Sequence, residues 1–148
     1  MNILQATVDH LHLLIPLFDS YRQFYDQKSD LPGAASFLGE RLRIKDAVIF
    51  LAVDKSGTAL GFVQLYPSFS SVSLKRLWIL NDLFVSKSVR GQRVAKALLE
   101  RSAHLAGETY AKGLVLETGV NNLPSKRLYE TSGWIKEEHF DRYYLNLK

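Results

Sequence analysis

Apolar positions along the chain switch between two spacings, and the switches mark the elements. Residues 2–7 are short and partly alternating, as an edge strand is. Thr7 or Asp9 then supplies a helix cap, and Leu11, Leu14, Ile15, Phe18 and Tyr25 recur at helical spacing. The pattern fades at Lys28-Ser29-Asp30. Leu31-Pro32-Gly33 reads as a turn, and residues 35–44 as a second, shorter helix. Residues 47–54 form a nearly continuous β-rich run and 59–66 another, joined by the turn signal Lys55-Ser56-Gly57-Thr58, so the pair predicts a hairpin. Residues 67–73 are polar and turn-like. Residues 76–85 are a third strong strand, with the polar pair Asn81-Asp82 in its middle. A helix over 91–106 carries Val94, Ala97, Leu98 and Leu105 on one face, and residues 113–118 read as a buried strand. A short helix over 122–131, capped by Asn122, ends before Ser132-Gly133. Residues 134–138 and 143–147 are expected as the terminal strands of a hairpin.

The strand, helix and strand within residues 76–118 form a crossover unit, which requires two parallel strands. The earlier strands are hairpin-like and antiparallel. The expected class is α/β of the α+β type: a single mixed, mostly antiparallel sheet with a central parallel pair and helices on both faces. With 148 residues and no repeat, low-complexity stretch or linker, residues 1–148 are expected to be one domain.

Composition narrows the chemistry. There is no cysteine, so disulfides, thiolate metal sites and a cysteine nucleophile are excluded together. The histidines His10, His12, His104 and His139 lack metal-ligand spacing and read as surface residues, so no metal is expected. The longest apolar runs are too short to span a bilayer, and no charged-then-apolar leader precedes the first strand, so a cytoplasmic location without a membrane partner is expected. The net charge of +4 comes from scattered Lys and Arg with no basic run, which gives a nucleic-acid partner no support. No phosphate-loop, dinucleotide or nucleophile-elbow motif is present.

Two segments carry candidate chemistry. Val89-Arg90-Gly91-Gln92-Arg93-Val94-Ala95 leaves a strand and opens a helix, where unpaired N–H groups and the positive end of the helix dipole suit a pyrophosphate and two arginines add charge. On its own this segment also fits an ordinary strand-to-helix turn with solvated arginines. The second segment is Asn122, Ser125, Leu128 and Tyr129, followed by Gly133-Trp134, which by itself also fits a capped amphipathic helix. Together they resemble the GNAT superfamily of acetyl-CoA-dependent N-acetyltransferases. The family's phosphate segment, [RQ]-x-x-G-x-[GA], is matched at Arg90 and Ala95 but holds Arg93 where glycine is usual. Its later pattern, N-x-x-A-x-x-L-Y-x-x-x-G-[FW], is matched throughout except for Ser125 at the alanine. The order of elements agrees along essentially the whole chain.

The resemblance implies a set of roles. The cosubstrate is acetyl-CoA. The backbone of Leu83, Phe84 and Val85 pairs with the pantetheine arm as an added strand. The N–H groups of Gly91, Gln92, Arg93, Val94, Ala95 and Lys96, with Arg90, hold the pyrophosphate, adjusted to the Cβ of Arg93. Asn122 and Ser125 face the cosubstrate. Tyr129 is the general acid on the coenzyme A thiolate, a phenol of pKa roughly 10 being matched to a thiol of roughly 8.5. Related polyamine acetyltransferases carry a Glu-Asp pair where this chain has Asn81-Asp82, so Asp82, directly or through water, is the candidate base and Asn81 holds water or substrate; structural hydrogen bonding is the other reading of Asp82. Tyr21, Tyr25, Gln64 and Tyr66 are candidate linings of the acceptor site, each also compatible with core packing. Asp19, Asp26 and Asp30 suit a cationic amine or are simply solvated. The implied activity is acetylation of a primary amine on a small molecule or peptide; a non-catalytic acyl-CoA-binding or sensing module on the same fold is the alternative. Homodimers are common in the superfamily, with Trp78 or the terminal strands as candidate interface elements.

Overall fold

Thr7 ends the first strand and starts the first helical segment. Its hydroxyl accepts from the N–H of Asp9, and its own N–H donates to His10 Nδ1 at 3.0 Å, a reciprocal cap. In the computed structural model, which describes residues 1–147, the chain divides into a unit Met1–Glu117 and a unit Thr118–Lys148. The first holds strands β1 (Asn2–Gln5), β2 (Val48–Val53), β3 (Ala59–Ser70), β4 (Lys75–Val85) and β5 (Leu114–Leu116), and helices α1 (Leu11–Phe24), α2 (Leu31–Ile44) and α3 (Val94–Glu108). The second holds α4 (Leu123–Thr131).

The strands lie in the order β1-β2-β3-β4-β5 in one sheet. All neighbours are antiparallel except β4 and β5, which α3 joins by the expected crossover; this parallel pair stands at one end of the five-strand order and not at its centre as expected, because no strand follows β5 among the described residues. Ile49, Leu51, Val53 and Phe62 pack with Leu14, Phe18, Leu38 and Leu42 of α1 and α2. On the opposite face, the Arg101 guanidinium of α3 lies 4.3 Å above the Phe50 ring, and Leu98, Leu99 and Ser102 are buried. Helices thus cover both faces of a mixed sheet.

Other expectations change as well. Leu31-Pro32-Gly33 is the first turn of α2, not a separate turn: the Asp30 carboxylate accepts the N–H of Gly33 at 2.9 Å, and Pro32 sits where a missing N–H costs nothing. β3 runs on through Pro67 to Ser70. Pairing with β2 stops at Leu65, so no β2 partner is deprived of the absent N–H of Pro67. The terminal hairpin is not formed: no strand is assigned over residues 134–147, where Ile135, Tyr143 and Leu145 are exposed, because no ladder takes up their backbone groups among the described residues. Trp78 is not a surface element. It is buried, and its Nε1 donates to Thr109 Oγ1 at 2.9 Å.

Gly61 of β3 lies close against β4. A Cβ there would lie 2.7 Å from the Phe84 carbonyl oxygen, a backbone atom that cannot swing away. Gly61→Ala is therefore expected to destabilise the protein by about 1–3 kcal/mol, measured by denaturant unfolding. A midpoint equal to the parent's would mean that the two strands separate freely at this point.

Candidate active site

The register between β3 and β4 slips once. Gln64 pairs with Asp82 and Leu65 with Leu80, leaving Asn81 as an extra residue that bulges from β4. Leu80, opposite Leu65, lies on the α3 side of the sheet, whereas Asp82, opposite Gln64, lies on the side of α1 and α2. Strict alternation would have put Leu80 and Asp82 on one face. Pairing with β5 covers only Trp78, Ile79 and Leu80. Beyond the bulge, residues 82–85 keep β3 on one edge and have no strand on the other among the described residues.

Asp82 is 3% exposed. One carboxylate oxygen accepts from Gln64 Nε2 and the other from Asn81 Nδ2 at 2.8 Å. Burial pushes its pKa above the ordinary carboxylate value, and the hydrogen bonds from Gln64, Asn81 and Tyr21 oppose that shift. The Asn81 carbonyl lies 3.3 Å from the same Tyr21 hydroxyl, so the one phenolic proton is shared between this carbonyl and the Asp82 carboxylate.

Above this carboxylate is a pocket of about 470 Å³ walled by Phe18, Tyr21, Tyr25, Phe37 and Tyr66, with Asn81 and Asp82 in its lining. Phe18 and Phe37 stack with centroids 5.7 Å apart, and Tyr25 meets Tyr21 edge-on at 5.2 Å. Desolvation, then the Asp82 charge, raises the pKa of both the Tyr21 and Tyr66 phenols, so both stay neutral. Three of the four candidate acceptor residues therefore line one cavity. Gln64 does not: it is fully buried behind Asp82 and holds the carboxylate. Phe18 and Phe37 are wall residues that sequence reasoning misses. The spacing Phe18, Tyr21, Tyr25 on one helix is the available signal for Phe18.

The acidic candidates divide. Asp19 is buried and accepts from Gln23 Nε2, Ser29 Oγ and the Asp30 N–H, which hold its carboxyl below the usual range, the Asp30 backbone bond most strongly. It ties α1 to the start of α2. Asp30 caps α2 and also lines the pocket, and Asp26 is exposed at φ 62°.

The segment after β4 makes a short 3₁₀ turn, Lys87–Val89, before α3 begins at Val94, three residues later than expected. Gly91 and Arg93 both have left-handed backbones, with φ of 84° and 63°. Arg93 is the N-cap residue of α3 and its side chain caps nothing, so the first-turn N–H groups of Val94, Ala95 and Lys96 have no side-chain cap. Gln92 differs from expectation: its N–H donates to the Val89 carbonyl at 3.3 Å. Arg90 lies back on β4, its guanidinium 5.6 Å from the Phe84 ring centroid and its Nε donating to the Val85 carbonyl.

The glycine usual at position 93 now has a physical reason. A left-handed residue with a Cβ costs about 1–2 kcal/mol, and glycine recovers part of that after its own chain entropy. Arg93→Gly is expected to raise stability by about 0.5 kcal/mol and to leave acetyl-CoA affinity unchanged or improved. Weaker affinity in a calorimetric titration would show that the guanidinium carries part of the binding.

In the second unit, Asn122 caps α4 as expected, its side-chain oxygen accepting from the Ser125 N–H at 3.3 Å. The helix ends where Gly133 turns left-handed at φ 89°. Trp134 N–H reaches the Tyr129 carbonyl at 3.0 Å and Gly133 N–H the Glu130 carbonyl at 3.3 Å, a Schellman stop. The Trp134 ring closes it at 6.0 Å from the Tyr129 ring. The Tyr-x-x-x-Gly-Trp spacing is thus a helix-termination signal as well as a family pattern.

Among the described residues no cluster of acidic and histidine side chains is arranged to hold a metal ion, and no helix is long and apolar enough to cross a membrane. Residues 14–134 match the model of the acetyltransferase (GNAT) family. The chain is 44% identical over 147 residues to the uncharacterized N-acetyltransferase YhfO of Bacillus subtilis, covering 99% of this chain and 98% of that one. It superposes on the crystal structure of a probable acetyltransferase with a TM-score of 0.95 at 46% identity, covering 100% of this chain and 99% of the other. An aminoglycoside N-acetyltransferase in complex with CoA shares the fold, at a TM-score of 0.82 and 20% identity, over 99% and 95% of the two chains. A bulged, half-released β4, a helix opening without a side-chain cap, and this agreement over nearly the full length lead to one assignment: the chain belongs to the GNAT family and is an acetyltransferase.

Proposed function

We propose that the chain transfers the acetyl group of acetyl-CoA to a primary amine of a small molecule or peptide by direct attack. The observation that carries this reading is the buried Asp82 carboxylate in the lining of an aromatic-walled pocket, on the strand whose next residues lack a β5 partner. Asp82, ionised, takes the proton of the incoming ammonium, directly or through water, and its raised pKa makes it a better base than an exposed carboxylate. The neutral amine attacks the thioester carbonyl carbon, the new C–N bond forms, the C–S bond breaks, and the sulfur leaves as thiolate. Tyr129, in the role the family resemblance assigns it, protonates that sulfur, and the second proton, shed by the nitrogen as it becomes an amide, passes through water to restore the phenol. The backbone of Leu83, Phe84 and Val85 suits the pantetheine arm as an added strand, and a β4 N–H there suits the carbonyl oxygen. The N–H groups of Arg93, Val94, Ala95 and Lys96 suit the pyrophosphate; Asn122 and Ser125 keep the cosubstrate-binding role that the family resemblance assigns them.

The test is thiol release from acetyl-CoA across polyamines, amino acids, aminoglycosides, simple amines and peptides, with Tyr129→Phe as control. Amine-dependent release that collapses in the variant supports the reading. Tight acetyl-CoA binding with no release from any amine favours the sensing module instead.

A further inference from the structure

Within that acetyltransferase reading, we propose that the acceptor is an arylalkylamine: one primary ammonium on a flat aromatic body, in preference to a polyamine or aminoglycoside. The pocket lining carries a net of one negative charge: the carboxylates of Asp82 and Asp30 stand against the Arg22 guanidinium, and one oxygen of Asp30 already accepts the Gly33 N–H that caps α2. Asp19 is closed off by three hydrogen bonds, and Asp26 is exposed and outside the lining. The remaining charged group in the lining is Arg22, a cation that opposes a second ammonium. A polyamine or aminoglycoside brings several charges, each needing an acceptor that this wall does not supply.

The rest of the wall is aromatic. Phe18 and Phe37 stack on each other, with the Arg41 guanidinium 5.1 Å from the Phe37 ring centroid; Tyr21 and Tyr25 make an edge-to-face pair, and Tyr25 and Phe37 are 48% and 39% exposed. Such rings hold an ammonium by cation–π attraction and an aromatic body by ring–ring contact, which favours an aryl over an aliphatic body of equal area by about 2- to 10-fold. The arrangement orients the ligand: ammonium toward Asp82, ring toward the partly exposed Tyr25 and Phe37.

The deciding measurement is kcat/KM at saturating acetyl-CoA for phenethylamine, tryptamine, hexylamine, spermidine and kanamycin. Phenethylamine or tryptamine is expected to exceed spermidine and kanamycin by about 10-fold or more, and hexylamine by about 2- to 10-fold. Tyr25→Ala and Phe37→Leu are each expected to raise the phenethylamine KM by about 3- to 10-fold while leaving kcat largely intact, and to narrow its lead over hexylamine. Preference for spermidine or kanamycin would overturn the acceptor class and leave acetyl transfer standing. If no amine releases thiol, calorimetry of phenethylamine with the parent and both variants decides separately. Binding weakened in both variants supports the pocket assignment while acetyl transfer fails; no binding overturns the assignment.

Discussion

Asp82→Asn is expected to lower kcat/KM for acetyl transfer by about 10²- to 10⁴-fold, the range for removal of a positioned base. The parent is expected to lose activity as pH falls and Asp82 takes up a proton, and the variant to lack that limb. Because burial raises the pKa of this carboxyl, the folded state binds its proton more tightly than the unfolded chain does. The Asp82 contribution to stability is therefore most favourable below the ordinary carboxylate value of 3.8 and is lost as pH rises through the raised value. Asp82→Asn removes that dependence. The substitution also has a structural accommodation. Both oxygens of Asp82 accept from amide groups, while Gln64 Oε1 is buried with no hydrogen-bond partner among the described residues. Turning the Gln64 amide over presents its oxygen to the amide N–H group that the substitution introduces, so the variant is expected to fold. Urea unfolding from about pH 4 to 8, beside the pH–rate profile, separates the two roles. A profile superimposable on the parent's would remove Asp82 as the base.

Tyr129→Phe has the next largest expected effect, a fall in kcat of about 10²- to 10⁴-fold if its hydroxyl protonates the departing sulfur. The geometry of α4 makes this a clean substitution. The Tyr129 backbone carbonyl accepts from Trp134, and its ring packs on the Trp134 ring; phenylalanine keeps both. Stability is therefore expected to change by no more than the value of one hydrogen bond, about 1 kcal/mol. Gly133, by contrast, cannot be replaced without strain at φ 89°, so a loss of activity there would report on the helix end and not on proton transfer. Near-parental turnover by Tyr129→Phe, with the fold intact, would assign Tyr129 to the helix stop alone.

Most elements are legible in the sequence because their apolar residues keep one period from end to end. The polar pair Asn81-Asp82 stands out because it interrupts such a run, and it does lie in the pocket lining. What stays hidden has identifiable causes. Pro32 and Gly33 look like breakers, but Asp30 turns them into a helix start. Pro67 looks like the end of β3, yet no β2 residue pairs beyond Leu65. Gln64 reads as a lining residue because its strand position is clear, while its amide contact with Asp82 depends on a register that no periodicity encodes. Phe37 reads as ordinary helix, since a cavity wall and a core face use the same residue type. The roles of Asn122, Ser125 and Tyr129 come from family likeness; their own geometry accounts for a capped helix and its stop.

The extra residue in β4 makes that strand a splice of two segments. If Asn81 were absent, Leu80 and Asp82 would be adjacent and, by simple alternation, would still face opposite sides, so the fold does not require it. Its effect is on the edge: the half before the splice is welded to β5, and the half after it is released from β5. A single peptide unit thus divides the strand into a structural half and a half available for chemistry. Changes in how β5 is anchored can accumulate on one side of that joint without retuning the other.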